Sequence, residues 1–137
     1  VFHQARNQVS FFPGAREVLE QLADSYTLGA LTNGNADLRQ IGIAELFAFH
    51  HSAETIGKRK PAPDMFHAAL ESAGVQAHQA VHVGDHPLED VHAAREHGMH
   101  AVWANLIDLA WPVELDRPRH HIHNLHELPD LVPLFDD

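Results

Sequence analysis

The chain has 137 residues, a formal charge of −10 with neutral histidines, and no cysteine. That length fits one domain, the acidic balance excludes a nucleic-acid partner because phosphate contacts need a basic patch, and the lack of thiols excludes disulfides and cysteine nucleophiles. No stretch approaches the roughly 20 consecutive apolar residues of a membrane helix, so no membrane span or membrane partner is expected, and the absence of cysteine fits a cytoplasmic protein. Fourteen histidines make the net charge steeply pH-dependent in mildly acidic buffer. An anionic substrate on so acidic a chain requires locally placed cations and a metal. The sequence starts at Val1 rather than at methionine, which points to a piece of a longer protein.

Residues 1–12 read as an amphipathic stub. Pro13-Gly14 opens a helix with Val18, Leu19 and Leu22 on its apolar face, since proline is tolerated in a first turn. Residues 26–31 form an apolar run with strand character, broken after Thr32 by Asn33-Gly34. Residues 36–40 predict a short helix capped by Asn35, and residues 47–52 a weak strand. A loop over 57–63 leads into a helix over 63–73, with Phe66, Ala69 and Leu70 inward and Gly74 as its stop. Residues 80–83 predict a strand, apolar except for His82. A helix over 87–97 stopped by Gly98 follows, then a strand over 100–104, a proline-containing loop over 105–119, an edge strand over 121–124 and a last helix over 125–134. Helices and strands alternate, which predicts an α/β fold: a doubly wound parallel sheet covered on both faces. Such sheets bind ligands beyond the C-terminal ends of their strands.

Three segments fall at that edge: LTNGN at 31–35, KPAPDMF at 60–66 and HVGDHPLED at 82–90. Thr32 offers a hydroxyl to a phosphate oxygen. Asn33 and Gly34 expose successive N–H groups that form an anion nest, and the glycine lets the backbone approach closely. Alone, this segment also fits an ordinary strand-to-helix turn. Lys60 neutralises charge that builds on a transferring phosphoryl group, and Pro61 restricts its backbone more than that of its neighbours Lys58 and Arg59. Alone, it also fits a solvated basic loop. Asp85 follows a strand and a glycine, with Asp90 five positions on. Two carboxylates at a strand end suit a hard cation such as Mg²⁺, Asp85 as the direct ligand and Asp90 acting through water or by orienting Lys60. The plainer alternative makes Asp85 a helix cap, with Glu89 and Asp90 favouring the helix dipole. Ordered together, hydroxyl, lysine and acidic pair imply a Mg²⁺-assisted phosphoryl site.

That ordered set resembles the haloacid dehalogenase superfamily of phosphohydrolases over residues 12–137. LTNGN is similar to its second motif, with Thr32 binding phosphate; KPAPDMF to its third, with Lys60; and HVGDHPLEDVHAAREHGM to its fourth, with Asp85 and Asp90. Within the superfamily, TNGNA, the KP–DM spacing and HVGD–EDV–GM–A–W resemble the FMN hydrolase or riboflavin-pathway pyrimidine phosphatase group. The resemblance implies a Rossmann-like core over residues 13–137, preceded by a remnant (1–12) that follows a helical cap. It implies hydrolysis of a small phosphorylated metabolite, FMN or a relative, through a phospho-aspartate. The family's first motif, an Asp-x-Asp pair on the first strand, has no counterpart here. Asp24 and Asp37 do not follow buried strands. The chain alone is therefore expected to be inactive, and its sheet to show an unpaired edge or gap, which self-association could cover.

Other readings compete. A non-catalytic module could bind a phosphate or a partner without turnover. A haloacid dehalogenase would need no Mg²⁺, which the acidic pair argues against. His120, His121, His123 and His126 cluster near the C-terminus, apart from His50-His51. On a strand, His121 and His123 would face one way and could hold Zn²⁺ or Ni²⁺ weakly, though a solvated tail explains them as well. His86 lies inside the acidic loop, where it would touch substrate or tune the rim. Trp103 and Trp111 read as packing residues.

Overall fold

In the computed structural model, residues 15–33 and 44–135 are described. Among these residues, five strands run parallel in two groups. Strand β1 (Gly29–Thr32) pairs with β2 (Phe49–Ser52), Ala30 opposite His50 and Thr32 opposite Ser52. Strands β3 (Val81–Gly84), β4 (His100–Ala104) and β5 (His121–Ile122) form the second group in that order. Helix α1 is Ala15–Ala23, α2 Ala53–Ile56 and α3 Asp64–Ala73; a π-helical turn, Pro87–His92, runs into α4 (Ala93–Glu96), and α5 is Leu128–Leu131.

Strand alternation sorts the core into two layers. Ala30, Val102, Ala104 and Ile122 face one way, onto Val18, Leu19 and Leu22 of α1 and onto Leu125 and Leu128. Leu31, Ala101 and Trp103 face the other way, onto Met65, Phe66 and Ala69 of α3 and onto Ala93 and Ala94 of α4. Helix α1 thus buries the predicted face, and α3 ends where Gly74 turns left-handed (φ 69°), its N–H donating to the Leu70 and Glu71 carbonyls.

The expected single sheet is divided. Strands β1 and β3 belong to separate sheets, and a cavity of about 370 Å³ is lined by Leu28, Gly29 and Leu31 from one group and by Val81, His82 and Val83 from the other. Among the described residues, the two groups are thus separate where an unpaired edge or gap was expected. Three further boundaries differ from expectation. The helix over 87–97 begins as the π-helical turn, because the amides of both Asp90 (3.0 Å) and Val91 (3.2 Å) donate to the His86 carbonyl. The last helix breaks into two 3-10 turns around α5, where Pro129 and Pro133 lack the amides a continuous helix would use. Strand β5 is two residues long rather than four. The short helix over 36–40 and the stub over 1–12 lie outside the described residues. No described helix is long and apolar enough to cross a membrane.

Candidate active site

Parallel strands deliver their last residues to one edge, and the three predicted segments meet there. Thr32 ends β1, fully buried, and its Oγ1 lies 3.0 Å from His50 Nε2 on the neighbouring strand. The next side chain, Asn33, ties all three segments together. Its Oδ1 accepts from the Lys60 amide at 2.7 Å, while its Nδ2 donates to the Lys60 carbonyl at 3.1 Å and to Glu89 Oε1 at 2.7 Å. Gly34 and Asp37 lie outside the described residues.

Lys60 is 1% exposed. Its ammonium donates to Asp90 Oδ1 at 2.5 Å and to the Leu31 carbonyl at 3.4 Å. A second donor reaches the same oxygen: His82 Nε2 lies 2.9 Å from Asp90 Oδ1. The His86 amide donates to Asp90 Oδ2 at 3.1 Å. Asp90 is therefore placed to orient Lys60, one of the two tasks expected of it. Gly84 makes this possible: a Cβ there would fall onto Cβ and Cγ of Asp90.

The electrostatics follow from burial and pairing. Burial pushes His82 down to about 3, so its ring is neutral at ordinary pH and carries the proton on Nε2 to serve Asp90. Burial alone would raise Asp90, but the hydrogen bond from His82 and the charge of Lys60 outweigh it and hold the carboxyl below its ordinary value.

Asp85 follows β3 and is half-buried. The Trp103 indole fixes its backbone by donating from Nε1 to the Asp85 carbonyl at 3.0 Å, and Trp111 packs edge-on against Trp103 at 4.9 Å between ring centroids. Both tryptophans are packing residues, as read from the sequence. His86 caps the π-helical turn through Nδ1, which accepts from the amides of Leu88 (3.2 Å) and Glu89 (3.0 Å). Asp24 is exposed in the turn after α1. His121 and His123 do share a side, their rings 5.3 Å apart, but among the described residues no group of three or more His, Asp or Glu side chains is arranged to hold a metal.

For Mg²⁺ the fit is partial. The ion takes oxygen ligands, one or two carboxylates completed by water and substrate phosphate. Asp85 brings a carboxylate to the end of β3, and both oxygens of Asp90 accept hydrogen bonds.

The profile of haloacid dehalogenase-like hydrolases matches residues 1–104. The chain belongs to that family. Among haloacid dehalogenase-like relatives, the 5-amino-6-(5-phospho-D-ribitylamino)uracil phosphatase YigB of Escherichia coli is 35% identical over 102 residues, covering 74% of this chain and 43% of the relative. The crystal structure of a 2-haloacid dehalogenase from Pseudomonas syringae superposes with a TM-score of 0.86 at 46% identity, over 90% of this chain and 54% of that one. A haloacid dehalogenase-like phosphatase structure from Thermococcus onnurineus gives 0.79 at 31% identity, over 88% and 57%. The chain thus spans about half the length of these relatives.

Two residues of this haloacid dehalogenase-like site escaped the sequence reading. His82 left one trace, a polar side chain inside an apolar strand. His50 left none, because its link to Thr32 depends on the pairing of β1 with β2.

Proposed function

We propose that the full protein containing this chain is a Mg²⁺-dependent phosphomonoester hydrolase. The observation that carries the reading is the buried Lys60, fixed by Asp90 and bracketed by Asn33 beside Thr32. A lysine immobilised there offers a charge that needs no rearrangement as negative charge develops on a phosphoryl group. The Thr32 hydroxyl and the N–H groups of Asn33 and Gly34 would hold the phosphate oxygens, and Asp85 would hold Mg²⁺. The metal would supply charge neutralisation at those oxygens. The nucleophile would be an aspartate from outside this chain. Its carboxylate oxygen would bond to phosphorus as the P–O bond to the ester oxygen breaks, that oxygen taking a proton from a second carboxylic acid also outside this chain, and water would then cleave the acyl phosphate to inorganic phosphate and the free carboxylate. The chain by itself would not turn over. FMN or a related small phosphorylated metabolite is the proposed substrate, supported by the likeness to the uracil-derivative phosphatase. The divided sheet is also a candidate surface for self-association.

A second reading has its own support in the 46% identity to a 2-haloacid dehalogenase. The two separate in one assay. Full-length protein is given FMN, p-nitrophenyl phosphate or 2-chloropropionate, each with and without Mg²⁺. Phosphate release that requires Mg²⁺, and that Asp85→Asn lowers by more than about 100-fold, supports the phosphatase. Metal-independent chloride release would replace it with the dehalogenase. An Asp85→Asn variant with wild-type rates would remove Asp85 from the site.

A further inference from the structure

His82 sits within a short apolar strand, 2% exposed, its ring edge-on to Phe66 with 5.1 Å between centroids. A phenyl ring would suit those surroundings without the cost of burying a polar ring. What imidazole adds is an N–H, directed at Asp90 Oδ1 at 2.9 Å. The same oxygen receives the Lys60 ammonium. A carboxylate oxygen has two lone-pair directions in its plane, enough to accept from both donors. The His86 amide holds the other oxygen, Oδ2. Without His82, the carboxylate could turn about its own bond and carry Lys60 with it.

We propose that His82 is a positioning residue for the reaction: it locks the Asp90 carboxylate so that Lys60 is held in one place. The inference rests on the hydrolase reading. Lys60 displaced by even a fraction of an ångström meets the transferring group less well, while binding of the ester through other groups is little changed. Removing the donor therefore lowers kcat rather than raising KM.

The test uses the full-length protein with p-nitrophenyl phosphate and Mg²⁺, comparing His82→Phe, which keeps the ring, with His82→Gln, whose amide can still donate. The expected result for His82→Phe is a kcat about tenfold lower or more with KM within about twofold, and for His82→Gln recovery of most of that loss. Wild-type kcat in His82→Phe, or a Gln variant as impaired as the Phe variant, overturns the proposal. Should His82→Phe fail to fold, the Gln variant decides: near-wild-type kcat supports the donor role and a tenfold loss ends it. A second readout is independent of turnover. The ¹³Cε and ¹⁵Nζ resonances of Lys60 should move in His82→Phe and return toward wild-type positions in His82→Gln. Unchanged Lys60 resonances in the Phe variant overturn the positioning role even if the wild-type protein hydrolyses none of the esters tested. Absence of turnover in the wild-type protein would instead count against the hydrolase reading.

Discussion

At Lys60 the protein has taken a strongly hydrated ammonium out of water, which is tolerable only because Asp90 pairs with it. A buried pair of this kind adds little net stability, but leaving one partner alone is costly. Gly84 guards that arrangement, since a methyl group there would overlap Asp90. Gly84→Ala should therefore push the carboxylate off Lys60 and lower unfolding free energy by roughly 3 kcal/mol, the cost typical of breaking a buried pair. Urea denaturation of wild type and variant measures it; a change below about 0.5 kcal/mol would show that Asp90 can shift without losing Lys60. Residue types at this site were legible in the sequence because each of Thr32, Lys60 and Asp85 carries its own local mark, a strand end or a following proline. Asn33 was legible only as part of a turn. Its role as the tie between Lys60 and Glu89 joins positions far apart in sequence, and no local pattern encodes such a meeting.

Helix α1 and strands β1, β3 and β4 were readable because burial imposes a period, and Gly74 and Gly98 were readable as stops because both take positive φ (69° and 84°). The π-helical turn was not. Whether the fourth or the fifth residue donates back to a carbonyl is settled by what the turn must reach, not by composition, and such turns recur at functional sites. Here the wide turn places Asp90 over Gly84 while Val91 stays in the core. Deleting Leu88, an exposed residue of the turn, should restore an ordinary helix and swing Asp90 away by roughly 100°, one residue's rotation in a 3.6-residue turn. The deletion should cost about 3 kcal/mol, and adding Asp90→Asn to it should cost almost nothing more, because the partner is already lost. A full, additive penalty from Asp90→Asn in the deletion background would mean that Asp90 still reaches Lys60 and that the π turn is incidental.

On the scale of the whole molecule, the acidic charge and the many histidines make acid stability the natural probe. Protonation of surface histidines alters the net charge of every variant alike, so the informative quantity is the difference between two proteins. His82 binds its proton at about 3 when folded, against an ordinary value of 6.5. Between those pH values the unfolded chain holds more protons than the folded one, so stability rises with pH across that window. The contribution is complete above about pH 6.5 and is lost progressively as pH falls toward 3. Asp90, held below its ordinary 3.8, adds a further loss only under more acid conditions, once pH drops through that value. Replacing His82 with glutamine removes the first effect and leaves the second. Between pH 7 and pH 4 the wild-type protein should therefore lose about 3 kcal/mol more than His82→Gln, from the roughly 1.4 kcal/mol per pH unit that one withheld proton is worth. Denaturant titrations of both proteins at half-unit intervals would show the wild-type curve dropping by that amount relative to the His82→Gln curve as the pH falls. Parallel curves would mean that His82 takes up a proton as readily inside the fold as outside it, and with that the neutral ring donating to Asp90 would be lost as an account of how Lys60 is held.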